Sequence, residues 1–114
     1  MQKICVIKTS VSTEVQASTL ATGLVEVRLA ACVQVSGPGL SVYRWQDKVE
    51  HEQEYYLNIK TRPEMCEAVV GWLSDHHPYE TPEIFWSVCD ANDEYADWLA
   101  VATDSKQLNG ELND

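Results

Sequence analysis

Three side chains in this sequence have the chemistry of transition-metal ligands. His76 and His77 are adjacent and directly precede Pro78, whereas Cys32 lies in an apolar segment far from them in the chain. Imidazole and thiolate groups bind copper and related ions, so these three residues are the candidate metal ligands. Neighbouring residues on a helix point about 100° apart, and both histidines therefore reach one ion only if Pro78 loosens the helix end.

Each candidate ligand also has a purely structural interpretation. Cys32 stands between alanine and valine and fits a small buried core residue. His77 continues the apolar face of the predicted helix and fits a partly buried histidine with satisfied hydrogen bonds. His76 is expected to be exposed, which makes it the more available ligand. The residue pattern alone leaves both interpretations open.

A second polar group is predicted to converge near the histidines at one end of the sheet. Its members are Glu54, Lys60, Tyr79 and Glu83. They are expected either to line a ligand cleft or to form a structural polar network. The sequence has neither HExxH nor zinc-ribbon spacing and no glycine-rich phosphate loop, so these classes of site are disfavoured.

The elements that must position these residues follow from hydrophobic periodicity and helix-capping signals. Strands are predicted over residues 4–9, 30–36 with 40–45, 49–61 and 83–89, and helices over 13–28, 61–77 and 92–102. The order β-α-β-β-α-β with an added helix is that of an α+β ferredoxin-like fold with an antiparallel sheet. We expect one domain over residues 1–103 and a polar tail over 104–114.

Local signals refine this prediction. Thr13 with Gln16 predicts a capping box, and Thr61 before Pro63 predicts a second helix cap. Gly23 is expected to allow the first helix a close approach to the sheet.

Residues 29–45 are predicted to be central to the fold and its assembly. Residues 30–36 are expected to be buried like a central strand, and residues 40–45 to form an edge. Gly37-Pro38-Gly39 between them fits either a hairpin turn or a bulge in one long strand. The aromatic residues predicted at the subunit interface are Tyr43, Trp45, Tyr55 and Tyr56. A sheet face that the last helix is too short to cover also predicts contact with another subunit.

Composition limits the function classes. The chain has 114 residues, 45% of them apolar, and a formal net charge of −10. This charge disfavours nucleic acid and anionic membranes as partners and is compatible with cation binding, although acidic composition often serves only solubility.

No apolar run is long enough for a transmembrane helix, and the N-terminal residues lack a signal-peptide pattern, so a cytoplasmic location is expected. The four scattered cysteines are expected to be free and buried.

Three segments resemble one protein family. Residues 29–33, 41–45 and 77–84 read Leu-Ala-Ala-Cys-Val, Ser-Val-Tyr-Arg-Trp and His-Pro-Tyr-Glu-Thr-Pro-Glu-Ile. In this order and spacing they resemble the CutA divalent-cation tolerance proteins, over about residues 3–102. The resemblance implies a cytoplasmic homotrimer, architecturally related to the PII signalling proteins and linked to copper and other divalent metals. It also implies a copper role for the histidines before Pro78.

One position departs from the family pattern. Some members have a cysteine, treated as a copper ligand, directly before a threonine near the end of the first strand. Here Lys8 precedes Thr9, and Cys5 is predicted to point to the opposite face from Lys8. A copper site that uses a cysteine at this position therefore lacks that ligand in this chain.

Three functions fit these observations. The first is a trimeric metal-binding tolerance protein without catalytic turnover, which the acidic charge favours. The second is a PII-like signalling trimer that binds a small, anionic ligand in clefts between subunits. The third, an enzyme with Cys32 as nucleophile and His77 as base, is the weakest, because a catalytic thiol is seldom placed mid-strand in an apolar run.

Overall fold

The structure is a computed structural model that describes residues 1–104. Its elements are β1 (Gln2–Val11), α1 (Glu14–Glu26), β2 (Cys32–Trp45), β3 (Lys48–Thr61), a 3₁₀ turn (Pro63–Met65), α2 (Cys66–His76), β4 (Phe85–Ala91) and α3 (Asp93–Ala102). The predicted order of strands and helices is confirmed, with boundaries shifted by a few residues. Residues 105–114, nearly all of the predicted tail, lie outside the described residues.

The four strands form one antiparallel sheet in the order β2-β3-β1-β4. Alternation along the central strands separates two sets of buried side chains. Ile7 and Ile59 are paired in the ladder and face the core that α1 and α2 cover. Ile4 faces the opposite side, where Ala96 and Leu99 of α3 pack on it. The sheet therefore has both main helices on one face, as in ferredoxin-like folds, and α3 on the other.

The predicted capping box starts α1. The Thr13 hydroxyl accepts a hydrogen bond from the backbone N–H of Gln16 at 3.1 Å. The Gln16 side chain accepts in return from the N–H of Ser12 at 3.2 Å, one residue earlier than the usual box. The helix ends at Glu26 rather than at Arg28, because Arg28 has a φ of 61° and cannot continue a right-handed helix.

The prediction for residues 29–45 is partly wrong. The bulge alternative is confirmed, since β2 is one strand with a register shift between Ser36 and Gly39. However, all of β2 lies at the sheet edge, and Val35 in the supposedly buried half is 40% exposed. An apolar, β-branched run indicates a strand but does not reveal whether a neighbour lies on each side.

Two further local predictions are corrected. A Cβ on Gly23 would lie 2.8 Å from the Trp72 ring, so this glycine permits close packing of α1 on α2 rather than on the sheet. Thr61 does not cap a helix. It is the buried last residue of β3, and its hydroxyl donates to the carbonyl oxygen of Leu29 at 2.7 Å.

The four cysteines are free, as predicted, but they differ in burial. Cys5 is buried, Cys32 and Cys66 are partly buried, and Cys89 is exposed on an edge strand. Within residues 1–104, no helix has the length and apolar character needed to cross a membrane.

Candidate functional site

A cleft lies between one end of the sheet and the segment that follows α2. β1 pairs with residues 55–61 of β3, so residues 39–45 of β2 and 48–54 of β3 continue as a two-stranded arm beyond the sheet. The loop over residues 77–84 faces this arm across a cavity of about 790 Å³. The cavity is lined by Ser10, Ser12, Ser41, Val42, Tyr43, Trp45, Glu52, Glu54, Tyr79, Glu80, Thr81 and Glu83.

Tyr79 connects its own loop with the arm and with the end of β1, and these three segments form the cleft. Its hydroxyl donates to a carboxylate oxygen of Glu54 at 3.2 Å and lies 2.7 Å from the hydroxyl oxygen of Ser12. Glu54 is only 7% exposed, so this contact compensates part of the cost of burying its carboxylate. Burial and the neighbouring Glu54 carboxylate raise the pKa of Tyr79, despite an opposing effect of its Ser12 contact. The phenol therefore keeps its proton and acts as a donor.

Glu83 and Tyr43 complete the polar lining. The Ser10 hydroxyl donates to a carboxylate oxygen of Glu83 at 3.4 Å. Desolvation and the nearby carboxylates of Glu52 and Glu50 raise the pKa of Tyr43. The cleft therefore combines exposed carboxylates with neutral phenols.

His77 anchors the loop rather than facing the cavity as a free ligand. Its Nδ1 accepts from the backbone N–H of Tyr79 at 3.1 Å. Nε2 therefore carries the proton in the neutral ring, and it lies 3.0 Å from both the Ser10 carbonyl oxygen and the Thr9 hydroxyl oxygen. Burial lowers the pKa of His77 and outweighs the opposing Ser10 bond and Glu54 charge. A metal ion on His77 would have to displace one of these contacts.

His76 has a different environment. Its ring stacks on the indole of Trp72 with centroids 4.0 Å apart, and its Nδ1 lies 2.8 Å from the Trp72 carbonyl oxygen. His76 is exposed, as predicted, and Nε2 is the ring nitrogen that remains for a metal ion. The two histidines thus present their nitrogens to separate surroundings.

Cys32 lies apart from the histidines, so the three candidate ligands do not come together within a single chain. Cys32 lies opposite Lys60 in the β2–β3 ladder. His77 contacts the part of β1 that pairs with Leu57 and Tyr56. Four residues of extended strand correspond to about 13 Å. The same separation leaves the Cys32–His77 catalytic pair without support.

The predicted cleft group is only partly assembled. Glu54, Tyr79 and Glu83 line one cavity, as expected. Lys60 does not, because it lies toward the other end of β3 with its ammonium nitrogen 5.9 Å from the centroid of the Tyr95 ring. Glu52 and Glu80 were not predicted. Glu52 lies two residues before Glu54, and the two-residue repeat of a strand would have placed them on one face.

The predicted interface aromatics divide into two pairs. Tyr43 and Trp45 are 42% and 45% exposed on the arm. Tyr55 packs against the main core, and Tyr56 lies against Gly39, so both are half-buried within the chain. Over residues 1–104, no three histidine, cysteine or acidic side chains converge closely enough to hold a metal ion.

Comparison with known proteins agrees with this architecture. The family model described as CutA1 divalent ion tolerance protein matches residues 5–102. A divalent-cation tolerance protein CutA from Thermus thermophilus is 43% identical over 100 residues, which cover 86% of this chain and 96% of that protein. The structure of CutA from Synechococcus elongatus superposes with a TM-score of 0.86 at 38% identity, covering 91% of this chain and 93% of the other. CutA1 from Ehrlichia chaffeensis gives a TM-score of 0.87 at 28% identity, over 91% of this chain and 98% of that one. The chain therefore belongs to the CutA1 divalent ion tolerance family.

Proposed function

We propose that this chain contributes to divalent-cation tolerance by binding copper or another divalent metal ion, without catalytic turnover, as a cytoplasmic homotrimer. The observation that carries the proposal is the acidic cleft. Glu52, Glu80 and Glu83 are exposed around the cavity, and Glu54 is buried in its wall. Carboxylate oxygens are ligands for divalent cations, and the net charge of −10 attracts cations to the surface.

Two kinds of donor would serve different ions. The cleft carboxylates suit hard divalent ions such as Mn²⁺, whereas the exposed imidazole of His76 suits Cu²⁺. His77 acts mainly by holding the loop that carries Tyr79, Glu80 and Glu83. Since one chain brings too few donors together, the proposal includes ligands from a neighbouring subunit.

The proposed trimer is supported by two open edges. The arm exposes Tyr43 and Trp45, and the edge strand β4 has Phe85, Trp86 and Val88 each about half exposed. Unpaired strand edges with large apolar side chains invite pairing with another chain. Because the two edges of a subunit differ, a contact between them would be heterologous. Such contacts form a closed ring when the rotation from one subunit to the next brings the last subunit back to the first.

A second candidate is the binding of a small molecule in clefts between subunits, as in a PII-like signalling protein. The cavity volume is typical of small-molecule sites, and Tyr43, Trp45 and Tyr79 provide aromatic walls. The carboxylates disfavour an anionic ligand, so this alternative favours a neutral or cationic molecule.

Equilibrium dialysis with Mn²⁺ and Cu²⁺ tests the proposed function. We expect the Glu52→Gln/Glu83→Gln variant to lose Mn²⁺ binding and His76→Ala to weaken Cu²⁺ binding. Glu67→Gln on α2 is the matched control, since Glu67 is exposed and outside the cleft lining. Sedimentation must show the same assembly for all variants. Unchanged binding of both ions in the cleft and His76 variants would refute the metal assignment.

The proposed location needs its own test, because a structurally similar CutA from Archaeoglobus fulgidus is named a periplasmic protein. Fractionation of cells that express the native chain, with a cytoplasmic enzyme as marker, decides between the two compartments.

A further inference from the structure

Glu54 places a negative charge inside the wall of the cleft. The residue is only 7% exposed, and the Tyr79 hydroxyl donates to one of its carboxylate oxygens at 3.2 Å. No lysine or arginine of residues 1–104 forms an ion pair with this carboxylate. His77 supplies no positive charge at neutral pH either, since burial lowers its pKa. A buried charge is costly unless it is paired, and this carboxylate therefore favours a ligand with a positive charge.

Three exposed carboxylates lie around the same cavity. Glu52 is on the same face of β3 as Glu54, about 7 Å along the strand, whereas Glu80 and Glu83 belong to the loop opposite. None of the twelve residues that line the cavity within residues 1–104 is cationic. A ligand with a single positive charge would pair with only part of this group. The arrangement therefore favours a ligand whose positive charges are several ångströms apart.

The cavity also has aromatic walls. Tyr43 and Trp45 alternate along one face of the arm, and Tyr79 lies on the loop. Aromatic faces attract ammonium groups, and they cover the methylene groups next to them. The cavity volume of about 790 Å³ is typical of sites for small organic molecules. The walls therefore provide contacts and room for an organic cation.

We propose that the cleft binds a linear aliphatic polyamine, a chain of methylene groups with ammonium groups at intervals. One ammonium group pairs with the buried Glu54, and a second pairs with the exposed carboxylates of Glu52 and Glu83. The methylene groups between them lie against the rings of Tyr43 and Tyr79. This inference rests on the small-molecule alternative given above, for which it names the ligand class, and it does not require that the chain binds a metal ion.

The test is calorimetric titration of the full-length chain with spermidine at neutral pH and low salt. We expect one equivalent to bind per subunit and Glu54→Gln to weaken binding by about tenfold or more, because an amide forms no charge-assisted hydrogen bond with an ammonium group. The glutamine keeps the size of the side chain and an acceptor for Tyr79. Glu67→Gln is the matched control, since it removes the same charge from an exposed position outside the cleft and should leave binding nearly unchanged.

Two further measurements use the wild-type chain alone, so the proposal stays testable if Glu54→Gln does not fold. Octane-1,8-diol has a chain as long as that of spermidine but no charge, and it should not bind. In NMR, saturation of the aromatic protons of the protein should transfer to the methylene protons of bound spermidine. Binding of the diol as tight as that of spermidine, or no such transfer, would contradict the proposal.

Two other results would overturn it. One is no binding of spermidine by the wild-type chain, and the other is an equal loss of affinity in Glu54→Gln and Glu67→Gln, which would indicate attraction to the net charge of −10 alone. Dialysis with Mn²⁺ in the absence of spermidine separates this inference from the proposed function. A chain that binds Mn²⁺ but not spermidine refutes the polyamine site only, whereas specific spermidine binding without Mn²⁺ binding supports it.

Discussion

The imidazole of His77 is tied to the end of β1, with Nε2 lying 3.0 Å from the carbonyl oxygen of Ser10. The opposite ring nitrogen accepts the backbone N–H of Tyr79. This side chain thus joins the end of α2, the end of β1 and the loop that forms a wall of the cleft. His77, one of the two histidines that the family resemblance links to copper, therefore has a structural role in this chain.

The first prediction compares the two adjacent histidines. His77→Ala removes the partners of Tyr79 N–H, Ser10 carbonyl and Thr9 hydroxyl, and should lower the free energy of unfolding by about 1–3 kcal/mol. His76→Ala removes an exposed ring stack and one solvent-exposed contact to the Trp72 carbonyl oxygen, and should cost clearly less. Urea unfolding at one fixed protein concentration measures both variants. Equal losses, or a larger loss for His76→Ala, would contradict the anchoring role.

The second prediction concerns pH. Burial lowers the pKa of His77 below its usual value of 6.5, so the unfolded chain binds the proton at a higher pH than the folded chain does. The contribution of His77 to stability is therefore complete above about pH 6.5 and is lost as pH falls through the lowered pKa. Stability should fall less steeply on acidification in His77→Gln than in the wild type. An NMR titration midpoint of His77 at or above 6.5 would disprove the assignment.

Hydrophobic periodicity predicted most of the fold because burial in this domain follows the periods of its elements. In β3, Leu57 and Ile59 are buried and alternate with partly exposed Asn58 and Lys60. Periodicity carries no information about what lies beside a strand, and for that reason only the second half of β2 was predicted to lie at an edge, although the whole strand does. It also assigns residues to a face of the sheet without giving their position along the strands. Lys60 and Cys32 were therefore expected near the histidines, although they lie toward the other end of the sheet.

Gly23 shows the same limit and supplies the third prediction. Its small size was correctly connected with close packing, but only the structure identifies Trp72 as the neighbour. In Gly23→Ala the new methyl group would lie 2.8 Å from the Trp72 ring, so crowding should outweigh the better helix propensity and destabilise the chain.

Gly71 in α2 is the matched control, because a Cβ there has nothing within 4 Å. Gly71→Ala should therefore stabilise the chain by about 0.5–1 kcal/mol. Thermal unfolding of both variants gives the comparison. A stabilised Gly23→Ala would show that the α1–α2 contact adapts without cost.

The last prediction tests the homotrimer. Trp45 is 45% exposed near the tip of an arm that reaches beyond its own sheet, and the open edge of β4 exposes a second apolar surface. If these surfaces meet between subunits, Trp45→Asp places an unpaired charge in a desolvated contact and should dissociate the trimer into monomers or cause aggregation.

Val15→Asp on α1, where Val15 is 75% exposed, introduces the same charge away from both edges and should leave assembly unchanged. Sedimentation velocity at micromolar concentration is the measurement. A wild-type chain that sediments as a monomer would refute the trimer, and with it metal or ligand sites completed by a neighbouring subunit.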